Sequence, residues 1–121
     1  GYTYSNDHNL VDDGTTSDPL SYEIGVSGYS RQALAGDSSF EDDTNDFAGL
    51  DHANVTFTAL AAGATIGGAV LYRYTTATTA DTAQNLISYY ALTATPTNGG
   101  DIVIALAATS DGALIKFGST S

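Results

Sequence analysis

Cysteine, methionine and tryptophan are absent from this 121-residue chain, and only three side chains, one Lys and two Arg, are cationic. Without cysteine there is no disulfide, no thiolate nucleophile and no sulfur-ligated zinc site. Phosphate backbones and anionic membranes are held by clustered cations, which this chain lacks, so neither nucleic acid nor a membrane surface is an expected partner. No apolar run approaches the roughly 18 residues of a membrane-spanning helix. The first ten residues are polar and show no secretory leader. Helix-forming Glu, Lys and Arg are scarce as well.

What the chain does have is acid and strand formers. Fourteen acidic residues leave a formal charge of −11, and twelve of them are Asp, a residue of turns and caps. Such a field favours solubility and suits a cationic partner or bound cations. The apolar residues make up 42% of the chain, enough for one globular domain over residues 1–121. They are mainly Tyr, Ala, Val, Ile and Leu bordered by Thr, side chains that fit a pleated surface.

Period-two alternation locates the strands. Tyr22, Ile24 and Val26 share one face of a first strand over 21–27. Val55 and Phe57 point one way in 54–59. The run 64–74 carries Gly67-Gly68, which predicts a bulge or a close backbone approach. Residues 86–93 and 101–106 read as further strands, the second apolar enough to be central, and 113–117 as the last. Asp12-Asp13-Gly14, Asp18-Pro19, Asn98-Gly99 and Ser110-Asp111-Gly112 are turn signals. Residues 1–20 read as a polar arm or loosely held first strand, and 36–53 as a long acidic loop. The expected fold is all-β: a single-domain β-sandwich or jelly-roll-like antiparallel barrel with a polar N-terminal arm.

Few constellations carry chemistry. Asp37, Glu41, Asp42, Asp43 and Asp46 supply enough oxygens within ten residues for a calcium ion, but not in the spacing of a helix–loop–helix site. No other metal or cofactor is expected. His8 and His52 are the only histidines; Asp51 precedes His52, but neighbours on a strand point apart, and no nucleophile elbow is present. Catalysis is not expected. Gly63 to Gly68 is glycine-rich without the Lys of a phosphate loop, and Asn54-Val55-Thr56 is an isolated glycosylation triplet. Surface contacts are expected instead from Phe40, Phe47 and Leu50 in the acidic loop, and from Tyr2 and Tyr4 in the arm. Tyr72, Tyr74, Tyr89 and Tyr90 are expected to divide between core and interface.

One order of motifs stands out. Asp51-His52-Ala53-Asn54-Val55-Thr56-Phe57 is followed by Ala69-Val70-Leu71-Tyr72, Leu86-Ile87-Ser88-Tyr89, Thr95-Pro96-Thr97-Asn98-Gly99-Gly100-Asp101-Ile102 and Ile115-Lys116-Phe117. This order, over a little more than half the chain, resembles a group of small virion-associated proteins of tailed bacteriophages and prophages. The resemblance implies a virion structural protein, a capsid decoration or other head-associated protein, above all one on the major capsid protein lattice at the capsid surface; closed symmetry adds the expectation of a homo-oligomer, a trimer at lattice three-folds. Composition leaves two alternatives: a self-assembling extracellular filament or surface subunit, and a carbohydrate-binding or adhesin module.

Overall fold

A computed structural model describes residues 2–5, 7–36, 38–44, 46–105 and 115–118, with the side chains of 38, 40, 42, 47 and 115–118 excepted. Asp37 and the expected turn at Ser110-Asp111-Gly112 lie outside the described residues. The chain is all-β: the described secondary structure is seven strands and two single-turn 3-10 segments. Backbone contacts divide it into two compact units, residues 1–27 with 61–98, and residues 28–60 with 99–121.

In the second unit, β1 (Ser38–Asp42) and β2 (Phe47–Asp51) form a hairpin, and β7 (Ile115–Gly118) pairs with the far side of β2. This corrects the expectation of a long acidic loop over 36–53. Ser-Ser-Phe-Glu-Asp and Phe-Ala-Gly-Leu-Asp form strands, and the acids concentrate where the chain reverses. Asp46 adopts a left-handed backbone, φ 54°, which Asp tolerates better than most residues. Acid density masked a hairpin whose turn those acids build.

A second ladder joins β3 (Val55–Phe57) to β6 (Ile102–Ile104). Val55, Phe57, Ile102 and Ile104 share its half-buried to buried face, and Thr56 and Val103 share the exposed one. Tyr29 stacks on Phe57, ring centroids 5.7 Å apart at 21°. The apolar run expected to be central thus has one described partner, β3, and bares Val103. Just beyond β3, Ala59 takes φ 51° and gives its N–H to Asp101 Oδ1 at 2.8 Å. Leu60, fully buried, donates to Gly100 O and accepts from Gly99 N at 2.7 Å. Gly99, with φ 90°, takes the left-handed backbone that Asn-Gly predicted.

The first unit is built on β4 (Thr65–Tyr72) and β5 (Leu86–Pro96), antiparallel with Val70 opposite Tyr89. The register shifts between Ile66 and Gly68, the bulge expected from the glycine pair. The close approach is there too: a Cβ on Gly68 would fall 2.5 Å from the Tyr89 hydroxyl and 2.6 Å from its ring. Below the bulge, Thr97 N donates to Ala64 O and the Thr97 hydroxyl accepts from Ala64 N.

The N-terminal segment is hydrogen-bonded to this unit. Leu10 bridges Asn85, Val11 N donates to Gln84 O, and Leu86 N donates to Asn9 O at 2.8 Å. The strand expected over 21–27 is not formed. Pro19 (φ −56°) and the Asp18 carboxylate, which accepts from Thr15 N and Ser21 N, wind Leu20–Tyr22 into a 3-10 turn. The Asp-Pro turn outcompetes the alternation that follows it.

Gly28 tests the packing of the second unit. Its φ is 87°, and an added Cβ would sit 2.8 Å from the Ala59 carbonyl oxygen, whereas Gly25 has open space and no left-handed backbone. Gly28→Ala is expected to lower stability by about 1–3 kcal/mol, and Gly25→Ala to leave it unchanged or slightly raised. Urea midpoints measure both; equal effects would refute the close approach.

Candidate interface

The sheet β1–β2–β7 has two unlike faces, and register decides which residues meet. Ser39 pairs with Leu50, which pairs with Ile115; Glu41 pairs with Ala48, which pairs with Phe117. These six positions lie on one face, and Ser39, Glu41, Ala48 and Leu50 are exposed there. Phe40 pairs with Gly49, which pairs with Lys116, and Phe47 pairs with Asp42, so both phenylalanine positions lie on the opposite face with the buried Gly49. Phe40, Phe47 and Leu50, expected as one contact set, are therefore divided: Leu50 shares its face with Ala48 and with the Ile115 and Phe117 positions. Asp43 and Asp46, both exposed, lie at the hairpin tip.

The other two ladders also leave a strand side chain in solvent. Val103 on β6 is 57% exposed and Ile87 on β5 is 53% exposed; Leu50 on β2 is 37% exposed. Buried apolar side chains among the described residues are Val11, Leu60, Ile66 and Ile104. In 101–106 the period of two sets Val103 opposite Ile102 and Ile104, a signal legible in the sequence, whereas Ile87 shares its parity with Tyr89 and Ala91 and carries no such signal.

Of the two arm tyrosines expected at a surface contact, the fold engages one. The Tyr2 ring meets Tyr89 edge-on at 5.2 Å, Tyr22 at 6.1 Å and His8 at 5.6 Å, and its hydroxyl is 3.0 Å from His8 Nδ1. Burial, followed by the negative potential of neighbouring groups, raises the Tyr2 phenol above its ordinary value and keeps it neutral. Tyr89 is thus pinned between Gly68 and Tyr2. Tyr4, Tyr22 and Tyr74 are exposed, and Tyr72, Tyr89 and Tyr90 are half-buried.

The acids divide between structural and displayed roles. Asp13 Oδ2 accepts from Asn9 N and Leu10 N, Asp12 Oδ1 from Gly14 N, and Asp51 Oδ1 from the backbone N–H of His52. Asp18 is nearly fully buried. Its burial alone would raise its carboxyl, but hydrogen bonds from Ser21 and Thr15 outweigh that and hold it below the ordinary 3.8. Of the calcium candidates, Glu41 and Asp42 are successive on β1 and take opposite faces, and Asp43 and Asp46 are exposed at the tip. Among the described residues no group of three or more His, Asp or Glu is placed to hold a metal ion, and no helix is long and apolar enough to cross a membrane.

No protein-family model matches the chain, and no curated protein or solved structure is detectably similar to it.

Two outcomes follow from this geometry. A depressed carboxyl contributes stability above its unfolded value and loses it as pH falls through the folded value. Wild type should therefore lose Asp18's contribution in acid, from about pH 3.8 downward. Asp18→Asn should be less stable at neutral pH by about 1.5–3 kcal/mol, with a flatter acid limb in pH-dependent urea melts. An unchanged acid limb would rule out this role. Separately, Tyr2→Ala should speed amide hydrogen exchange at Val11 and Leu86, which bridge the N-terminal segment to its unit, while the amides of β3 keep their protection.

Proposed function

We propose that this protein is a non-catalytic virion structural protein of a tailed phage, a capsid decoration protein that binds the major capsid protein lattice. The observation that carries the reading is that every described ladder leaves a large apolar strand residue in solvent: Leu50, Ile87 and Val103. Apolar strand surface of this kind gains free energy when a neighbouring protein covers it. The loops, in contrast, satisfy their own backbone through Asp, Thr and Gly, as suits a module that presents surfaces.

The resemblance of the motif order to that of small phage virion proteins supports the same reading. Thr97, Gly99, Gly100 and Asp101, from the segment 95–102 of that order, each bond to the backbone of Ala59, Leu60 or Ala64, so this segment has a structural reason to exist in such a chain. Within this reading the strands complete a β-sandwich or jelly-roll-like arrangement, and the protein acts as a homo-oligomer, a trimer at lattice three-folds, on the capsid surface. The net charge of −11 keeps decorated particles apart in solution.

The test uses phage shells produced without this protein. Added back, the purified chain should cosediment with shells and raise their disruption temperature. Saturation at a hundred times the dissociation constant stabilises the bound state by about 2.7 kcal/mol per site. Absence of cosedimentation would overturn the proposal, and polymerisation of the chain by itself would favour a filament subunit instead.

A further inference from the structure

We infer that the Leu50 face of the β1–β2–β7 sheet is the docking surface, and that it fits a protein partner bearing an apolar patch rimmed by lysine or arginine. This inference rests on the virion reading above, in which that partner is the capsid lattice. The register collects Leu50, Ala48, Ile115 and Phe117 on one face, with Leu50 and Ala48 exposed. Glu41, also exposed, is the one charged residue among the six face positions. Exposed Asp43 and Asp46 extend the negative charge around the hairpin tip. Lys116, the sole cation of the three strands, is on the opposite face.

Charge selects the occupant. A second copy of this chain would bring another acidic rim against the first, each on a molecule of net charge −11, and juxtaposed like charges oppose association. A partner with an apolar centre and basic rim meets the same face with complementary charge. The centre then supplies affinity through desolvated contact, and the rim sets the association rate and its sensitivity to salt.

Binding of the full-length chain to shells lacking it, measured across a range of salt concentrations, tests this with three variants. Leu50→Arg should weaken binding about tenfold or more, because it places a cation in the apolar centre facing a basic rim. Glu41→Lys should weaken it several-fold and flatten its salt dependence. Val103→Lys, on the exposed face of the β3–β6 ladder, should bind as wild type does. Circular dichroism and urea midpoints establish that each variant is folded, which the exposure of Leu50, Glu41 and Val103 favours. If wild type binds and both Leu50→Arg and Glu41→Lys bind equally well, the face is wrong while the virion reading stands. If wild type does not bind, the virion reading falls and this inference with it. A sedimentation experiment showing self-association that Leu50→Arg abolishes would identify a second copy as the occupant and overturn the partner named here.

Discussion

The β3–β6 and β4–β5 ladders depend on backbone groups at residues 59–64 finding partners at residues 97–101. Leu60 and Thr97 are buried here, and a buried N–H or C=O left unmet costs more than a normal hydrogen bond contributes. Ala59 reaches its partner by adopting a left-handed backbone that gives its N–H to Asp101. Leu60 exchanges bonds with Gly99 and Gly100, and Ala64 with Thr97. In chain order, β3 leads into the first of these segments and β4 leaves it; β5 leads into the second and β6 leaves it. The ladders β3–β6 and β4–β5 are both anchored at these bonds, each within its own unit. A side chain at Gly99 would have to adopt φ 90°, which is why glycine occupies that turn.

Acid serves the same need elsewhere. Asp12, Asp13, Asp18 and Asp51 each accept backbone N–H groups in loops and at a strand end, which makes them structural before they are electrostatic. The short carboxylate is suited to this, because it reaches a backbone donor two or three residues away where Glu loses more side-chain entropy. Others, including Glu41, Asp43 and Asp46, face solvent and give the molecule its field. The division matters for binding: acids already bonded to their own backbone fix loop shape, and the exposed set determines which partners approach.

The packing follows from the side chains available. Where tryptophan and methionine are lacking, aromatic contact comes from tyrosine, and Gly68 makes room for the ring of Tyr89 across the ladder. Tyr2 then closes over that ring, and backbone bonds tie the N-terminal segment to β5 and the residues just before it. A segment whose composition suggests a free arm becomes part of the first unit through one aromatic anchor and a few backbone bonds.

The all-β class and the positions of β3, β4, β5, β6 and β7 were legible from alternation and turn residues, because the period of two is a local property that each segment carries. The bulge at Gly67-Gly68 and the positive φ at Gly99 were legible from the glycines themselves, which are local signals too. Residues 21–27 were not, since Asp18-Pro19 imposes a turn on the start of a strand-like pattern, and residues 36–53 were not, since acids in the β1–β2 hairpin resemble loop composition. Which residues of different strands share a face was decided only by tertiary pairing. Three places along one strand separate Phe47 from Leu50, so they face apart, and only the register of β1 and β7 against β2 unites Leu50 with Ile115 and Phe40 with Gly49. Alternation is written in neighbouring residues, but register is a free-energy balance between distant segments, and a shift of one residue would exchange the two faces.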